Sequence, residues 1–101
     1  MLSKFGYKKE DGSKVIKYAI TNDFLDNEKR TVKEITELKK QGLNTFFELY
    51  DDDDIKYFNG YYNDKYSDYE IEFSILSRFG NSYGCTQMKI RDSKTGKMQY
   101  L

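Results

Sequence analysis

Rings dominate the apolar inventory of this chain. Ten tyrosines and seven phenylalanines supply nearly half of its hydrophobic residues, and neither tryptophan nor proline accompanies them. Aromatic side chains suit pleated, half-buried surfaces, and each buries enough area to offset the entropy of ordering its segment. A chain so supplied folds rather than staying disordered, around a core that is aromatic and small for the chain's length. At 101 residues a second unit would have too few residues to bury a core of its own. A single domain over residues 1–101 is expected.

Local patterns give the order of elements. Residues 4–9 and 14–20 are rich in β-branched and aromatic side chains and flank Glu10-Asp11-Gly12-Ser13; Asp-Gly between such runs predicts a hairpin. A helix is expected next, over about 27–41. Thr31-Val32-Lys33-Glu34 has the form of a capping box, with Asp26 or Asn27 as an earlier starting point. Val32, Ile35 and Leu38 make one apolar stripe while Lys33, Glu37 and Lys40 face water. Lys39 and Lys40 suit the negative end of the helix dipole, and Gly42 is the natural stop.

Beyond Gly42 the sequence reads as strands. Residues 45–50 form one, and residues 55–58 and 61–62 flank Asn59-Gly60, a second two-residue hairpin signal. Tyr69, Ile71, Phe73 and Ile75 alternate with Glu70, Glu72 and Ser74, which predicts a strand over 69–76. Gly80-Asn81-Ser82-Tyr83-Gly84 then turns the chain into a strand over 85–91, and Ser93-Lys94-Thr95-Gly96 into a last one over 97–101. The expected fold class is α+β: an N-terminal β-hairpin, one helix, then an antiparallel meander of four to five strands with the helix on one face.

Several kinds of chemistry lack their residues. Histidine is absent, which removes the commonest catalytic base and the commonest zinc ligand. Cys85 is the lone cysteine; on an alternating strand it reads as a packed thiol rather than a nucleophile. Asp51-Asp52-Asp53-Asp54 lacks the glycine and glutamate that an EF-hand loop places downstream. No catalytic residue, cofactor or metal ligand is assigned. No apolar run approaches the roughly 20 residues of a membrane span, and Met1-Leu2-Ser3-Lys4 leads directly into strand-like sequence. A cytoplasmic protein is expected, in a host cell's cytoplasm if phage-encoded.

Formal net charge is zero, yet charge is segregated along the chain. Between Glu48 and Glu72 lie nine acids against Lys56 and Lys65, and six of the ten tyrosines. Tyrosine offers rigid contact area, and carboxylates along such a surface can imitate phosphates and steer toward a basic partner. Small phage and mobile-element proteins that block nucleic-acid-directed enzymes are of this physical type. The first functional expectation is therefore a non-enzymatic protein-binding module. Asp51, Asp52, Asp53, Asp54, Tyr57, Tyr61, Tyr62, Asp64, Tyr66 and Asp68 would contact a protein partner with a basic surface, such as a nucleic-acid-processing or defence enzyme. The alternative is a direct single-stranded nucleic-acid-binding domain. Lys4, Lys8, Lys9, Lys14 and Lys17 on the first hairpin would join Arg78, Lys89, Arg91, Lys94 and Lys97 on the last strands, with Phe5, Tyr7, Tyr18 and Tyr83 for stacking. A metal-dependent nuclease built on Asp54, Lys56 and Glu34 or Glu37 ranks third. Exposed strands also leave a homodimer open.

Overall fold

The computed structural model describes the backbone of residues 2–66 and 70–101, with the side chains of Tyr7, Lys8, Tyr66 and Glu70 outside the description. Seven strands and two helices follow one another as β1 (Lys4–Lys8), β2 (Lys14–Asp23), β3 (Glu28–Lys29), α1 (Val32–Lys40), β4 (Thr45–Tyr50), β5 (Lys56–Tyr62), α2 (Glu70–Tyr83), β6 (Gln87–Arg91) and β7 (Met98–Tyr100). All strands join one antiparallel sheet in the order β1-β2-β5-β4-β6-β7, with the short β3 also paired to β2. The α+β class and the N-terminal hairpin stand as expected. The four strands after α1 are not a simple meander, because β5 crosses to pair with β2 and so joins the two halves of the chain.

Helix α1 forms on the expected residues but starts later. Thr31 caps it: its hydroxyl accepts from the Glu34 amide while the Glu34 carboxylate accepts from the Thr31 amide. The earlier start fails because Asn27 adopts φ 57 and Glu28–Lys29 are in β3.

Residues 70–83 are helical, not the strand expected over 69–76; Tyr69 lies outside the described residues. The alternation of Ile71, Phe73 and Ile75 concealed a second period. Ile71, Ile75 and Phe79 are buried at four-residue spacing, whereas Phe73 is exposed. The expected turn over 80–84 is mostly the last turn of α2. It ends at Gly84, whose φ of +79 suits glycine, with the Gly84 and Cys85 amides donating back to the Gly80 and Phe79 carbonyls.

Asn59-Gly60 is not a turn but the middle of β5. Glycine is needed there for space. A Cβ on Gly60 would lie 2.5 Å from both the Phe47 ring and the Ala19 carbonyl oxygen. The β4–β5 turn falls instead at residues 51–55, with Asp54 at φ 59.

The helices take opposite faces of the sheet. Against α2 lie Tyr18, Ile20, Phe47, Leu49, Phe58, Tyr62 and Met88, all buried with Ile71, Ile75 and Phe79. Phe58, Phe79 and Tyr83 rings meet at centroid distances of 4.9–5.8 Å, so the core is aromatic as expected. On the other face α1 covers a smaller patch, where Leu38 and Leu43 pack on Ala19 with Ile16 and Tyr61 at its margin. A bulge in β2, where Phe5 pairs with Tyr18 but Gly6 with Ile16, turns Ile16 to the same side as Ala19.

Candidate functional site

Because α1 is short, most of its side of the sheet is left without a second layer. β4 has rings on both of its faces: Phe47 and Leu49 point into the core, so Phe46, Glu48 and Tyr50 point the other way. Phe46 meets Tyr61 of β5 edge-on at 5.3 Å. On β6, Met88 faces the core and Lys89 and Arg91 flank the outward rings of β4. Tyr100 on β7 pairs with Lys89 and is 60% exposed.

Among the described residues, every ring on this face carries a cation. The Lys89 ammonium lies 4.6 Å from the Tyr50 centroid and 4.8 Å from that of Tyr100. Arg91 lies 4.6 Å over Phe46, and Lys39, from the rim of α1, 5.1 Å from Tyr61. Lys56 sits 5.8 Å from Tyr50 and 5.7 Å from Phe24. Glu48 is buried at the centre, ion-paired with Lys56 and accepting the Tyr50 hydroxyl at 3.1 Å. That pairing raises the Lys56 pKa. Desolvation pulls the Lys89 ammonium down, but the Tyr100 and Tyr50 phenols outweigh it, so it too stands raised and charged. The surface is a row of rings crossed by flexible cations, with one internal acid.

The acidic, tyrosine-rich set does not gather on a common surface. Asp51–Asp54 form the β4–β5 turn and are held locally. The Asp51 carboxylate accepts the Asp53 and Ile55 amides at 2.8 and 3.0 Å, which lowers its pKa, the Ile55 amide most. Asp52 accepts the Thr86 hydroxyl and Asp54 the Gln87 side chain, so the turn is fastened to the start of β6. Asp64 follows the far end of β5, roughly 20 Å away along seven residues of strand. Tyr62 is 3% exposed in the core, Tyr57 packs against the core's edge, and Tyr61 lies on the opposite face between Phe46 and Lys39. Asp68 and the Tyr66 side chain lie outside the described residues.

The basic hairpins expected to adjoin lie at opposite edges, β1–β2 at one and β6–β7 at the other. Of the stacking rings proposed with them, Phe5 and Tyr18 stack on each other at 4.5 Å with Arg78 over Phe5, and Tyr83 packs on Phe58 and Phe79. The Tyr7 side chain lies outside the described residues. Of the described members of that set, Lys89 and Arg91 stand over rings of the open face. The rings on that face, Phe46, Tyr50, Tyr61 and Tyr100, are not among those expected to stack, and of them only Tyr61 belongs to the acidic set; the available signal was an aromatic on both parities of residues 45–50, Phe46 and Tyr50 on one and Phe47 on the other. Of the nuclease set, Glu34 is committed to the α1 cap and Lys56 to Glu48. Burial pushes the Cys85 thiol up to about 11, with Asp51 adding to the effect, so it stays protonated. Asp23, Asp26 and Glu28 bring carboxylate oxygens within 4.8 Å of one another, but each already engages another group.

One polar group stands out. Glu72, on the first turn of α2, is 6% exposed. The Tyr62 hydroxyl donates to its Oε1 at 3.0 Å, while its Oε2 is buried with no hydrogen-bond partner, a state that costs on the order of 1–3 kcal/mol. Burial and the Glu72 carboxylate, in that order, hold the Tyr62 phenol far above its usual pKa.

The molecule is thus a small α+β domain whose antiparallel sheet is covered by a helix on one face and largely open on the other. No protein-family model, no curated protein and no solved structure matches it. Among the described residues no helix is long and apolar enough to cross a membrane.

Proposed function

We propose that this domain binds single-stranded nucleic acid across the open face of its sheet, with no catalytic step of its own. The observation that carries this reading is the pairing of each described ring on this face, exposed at Tyr100 and half-buried at Phe46, Tyr50 and Tyr61, with a lysine or arginine: Tyr50 and Tyr100 with Lys89, Phe46 with Arg91, Tyr61 with Lys39. Magnitudes decide whether a base can displace the cation. An exposed cation–π contact is worth about 0.5–1 kcal/mol, whereas stacking a base on an aromatic side chain is worth about 1–3 kcal/mol. Each displaced lysine or arginine remains within reach of the backbone phosphates, so exchange gains a second interaction. Glu48 does not repel the strand strongly, because Lys56 neutralises it beneath the surface. The rings lie on β7, β4 and β5 and the cations of β6 lie between them, so a strand crossing all four would meet both in turn.

This ranks the nucleic-acid reading above the protein-binding one. The acidic surface loses Tyr62 to the core and is split between the two ends of β5. The part of it that keeps its support is the turn at Asp52, Asp53 and Asp54, all exposed beside Ile55 at 55% exposure. It suits a small contact with a basic protein.

Fluorescence anisotropy with labelled single strands at low salt tests the proposal. Wild-type protein should bind, and Tyr100→Ala should weaken binding about fivefold or more while leaving the fold intact, since that ring is mostly exposed. Absence of binding at low salt overturns the reading. So does binding that Tyr100→Ala leaves unchanged but changing Asp52, Asp53 and Asp54 to serine alters.

A further inference from the structure

Among the described residues β7 closes one side of the sheet, with β6 beside it and no strand beyond. Its register fixes which backbone groups look outward. The Leu101 amide donates to the Met88 carbonyl at 2.9 Å and the Asp92 amide to the Lys97 carbonyl at 2.8 Å, and Ile90 pairs with Gln99 midway between them. Hydrogen-bonded pairs alternate along an antiparallel ladder, so Gln99 turns both of its backbone groups to β6. Met98 and Tyr100 turn theirs away. Their N–H and C=O groups make an outward row to which no described residue hydrogen-bonds.

The two edges of the sheet differ. β1 carries Lys4 and Lys8 and pairs with β2 in a shifted register, features that keep an edge from pairing further. β7 is Met98-Gln99-Tyr100, followed by Leu101, and holds no charge. Gln99 and Tyr100 are exposed and Met98 is half-buried. Such an edge complements itself. About a two-fold axis at Gln99, Met98 of one copy faces Tyr100 of the other, and each such pair exchanges both of its N–H···O bonds. The same register sets Lys97 opposite Leu101, so no like charges meet. We infer that two copies of this domain associate edge to edge through β7, joining their sheets and their ring-lined faces into one.

Side chains continue across the junction. Tyr100 lies opposite Lys89 and Met98 opposite Arg91, whose cations stand over rings of the open face. Gln99 lies on the core side, opposite Ile90 and donating to Asp92 at 3.4 Å. Pairing therefore sets Lys89, Tyr100, Met98 of the second copy and Arg91 of the second copy in one row. The cations of that row stand three strand spacings apart, about 14 Å. That exceeds the roughly 8 Å screening length at physiological salt, so they do not oppose association. Two such short strands bury far less than the about 1,000 Å² of a stable complex, so the dimer dissociates on dilution.

Sedimentation equilibrium of the free protein over rising concentration tests the inference, with wild type, Met98→Pro and Met98→Ala. Proline removes the outward N–H of Met98 and no bond to β6; alanine keeps that N–H. Wild-type and Met98→Ala masses should rise from one copy toward two, and Met98→Pro should stay at one copy throughout. A wild type that remains one copy at every concentration, or association that survives Met98→Pro, overturns the inference. Should Met98→Pro not fold, amide exchange in wild type decides. The Met98 and Tyr100 amides should exchange fast in dilute protein and slowly in concentrated protein, with Gln99 protected in both. Rates at Met98 and Tyr100 that ignore concentration overturn the pairing. None of these readouts involves nucleic acid, so they stand apart from the sheet-face reading. With the pairing established, oligouridine long enough to cross both copies should bind wild type about tenfold tighter than Met98→Pro, and oligouridine covering one copy should bind both equally. Equal affinities at both lengths overturn the joined face. If neither length binds, the sheet-face reading fails and sedimentation still decides the pairing.

Discussion

If phosphates reach the open face, the salt dependence of binding reports how many do. Among the described residues Lys39, Lys56, Lys89 and Arg91 stand over its rings, but Glu48 neutralises Lys56. Three cations remain for phosphate. For single strands each neutralised phosphate contributes about −0.7 to the slope of log affinity against log salt, so the wild-type slope should be about −2. A fourfold rise in salt should then weaken binding about twentyfold. Replacing Lys89 and Arg91 together by glutamine leaves one such cation and a slope of about −0.7, hence less than a threefold loss over the same range. The exposed cation–π contacts removed are worth about 0.5–1 kcal/mol each, small beside the 5–15 kcal/mol stability of an ordinary domain, so the double variant remains folded. The assay is a set of anisotropy titrations with oligouridine at several sodium chloride concentrations. Parallel lines for wild type and variant would refute the reasoning, because the cations over Tyr50, Phe46 and Tyr100 would then make no phosphate contact.

Gly60→Ala should destabilise the domain by about 3 kcal/mol, because the new methyl meets the Phe47 ring and the Ala19 carbonyl at 2.5 Å; a denaturant midpoint within error of wild type would remove the close-approach explanation. Stability should also fall as pH rises through about 10. Burial raises the phenols of Tyr18, Tyr50 and Tyr62, with Glu48 and Glu72 adding to the last two, and the Asp51 hydrogen bond raises Tyr57. Their unfolded counterparts ionise near 10, so above that pH the folded state holds more protons and loses ground. Lys56 acts in the same direction: its pKa is raised by Glu48, and the stabilisation is present below about 10.5 and lost as pH rises through the folded value. Urea midpoints that stay flat from pH 8 to about pH 11 would contradict both assignments.

What the sequence disclosed divides by the range of the physics involved. The Asp11-Gly12 turn and the Thr31 cap depend on residues a few positions apart, and both were legible. Residues 70–83 resemble a strand because Ile71, Ile75 and Phe79, four apart, satisfy both periods at once; only Leu76-Ser77, where apolar and polar residues change places, breaks the alternation, and Gly80 and Gly84 suggest a turn. Asn59-Gly60 shows the same limit. The dipeptide suits a turn, but Gly60 exists to admit Phe47, a residue of another strand that no local pattern names. The open face was hidden more deeply, since it depends on strand order. Lys89 lies between Tyr50 and Tyr100 because β6 pairs with β4 on one side and β7 on the other, after a crossover by α2, whose residues had the pattern of a strand.

Strand order also explains how a chain with zero formal net charge can offer a basic surface. Charge that is segregated along the sequence is not charge that is segregated in space. The run from Glu48 to Glu72 is the most acidic part of the chain, yet the fold sends its members in different directions. Glu48 goes under Lys56, Asp51–Asp54 into a turn bound to Thr86 and Gln87, and Glu72 into the core against Tyr62. The same run delivers Tyr50 and Tyr61 to the open face, where cations from α1 and β6 meet them. An acidic segment therefore contributes rings and a single carboxylate, that of Glu48 already paired with Lys56, to the surface it helps to build. A nearly neutral molecule with one basic, ring-lined face has little long-range pull on a polyanion. Such a face should select single strands, whose bases can reach the rings, over duplexes, whose bases cannot. Equal affinity for a single strand and a duplex of the same length would mean that the rings take no part.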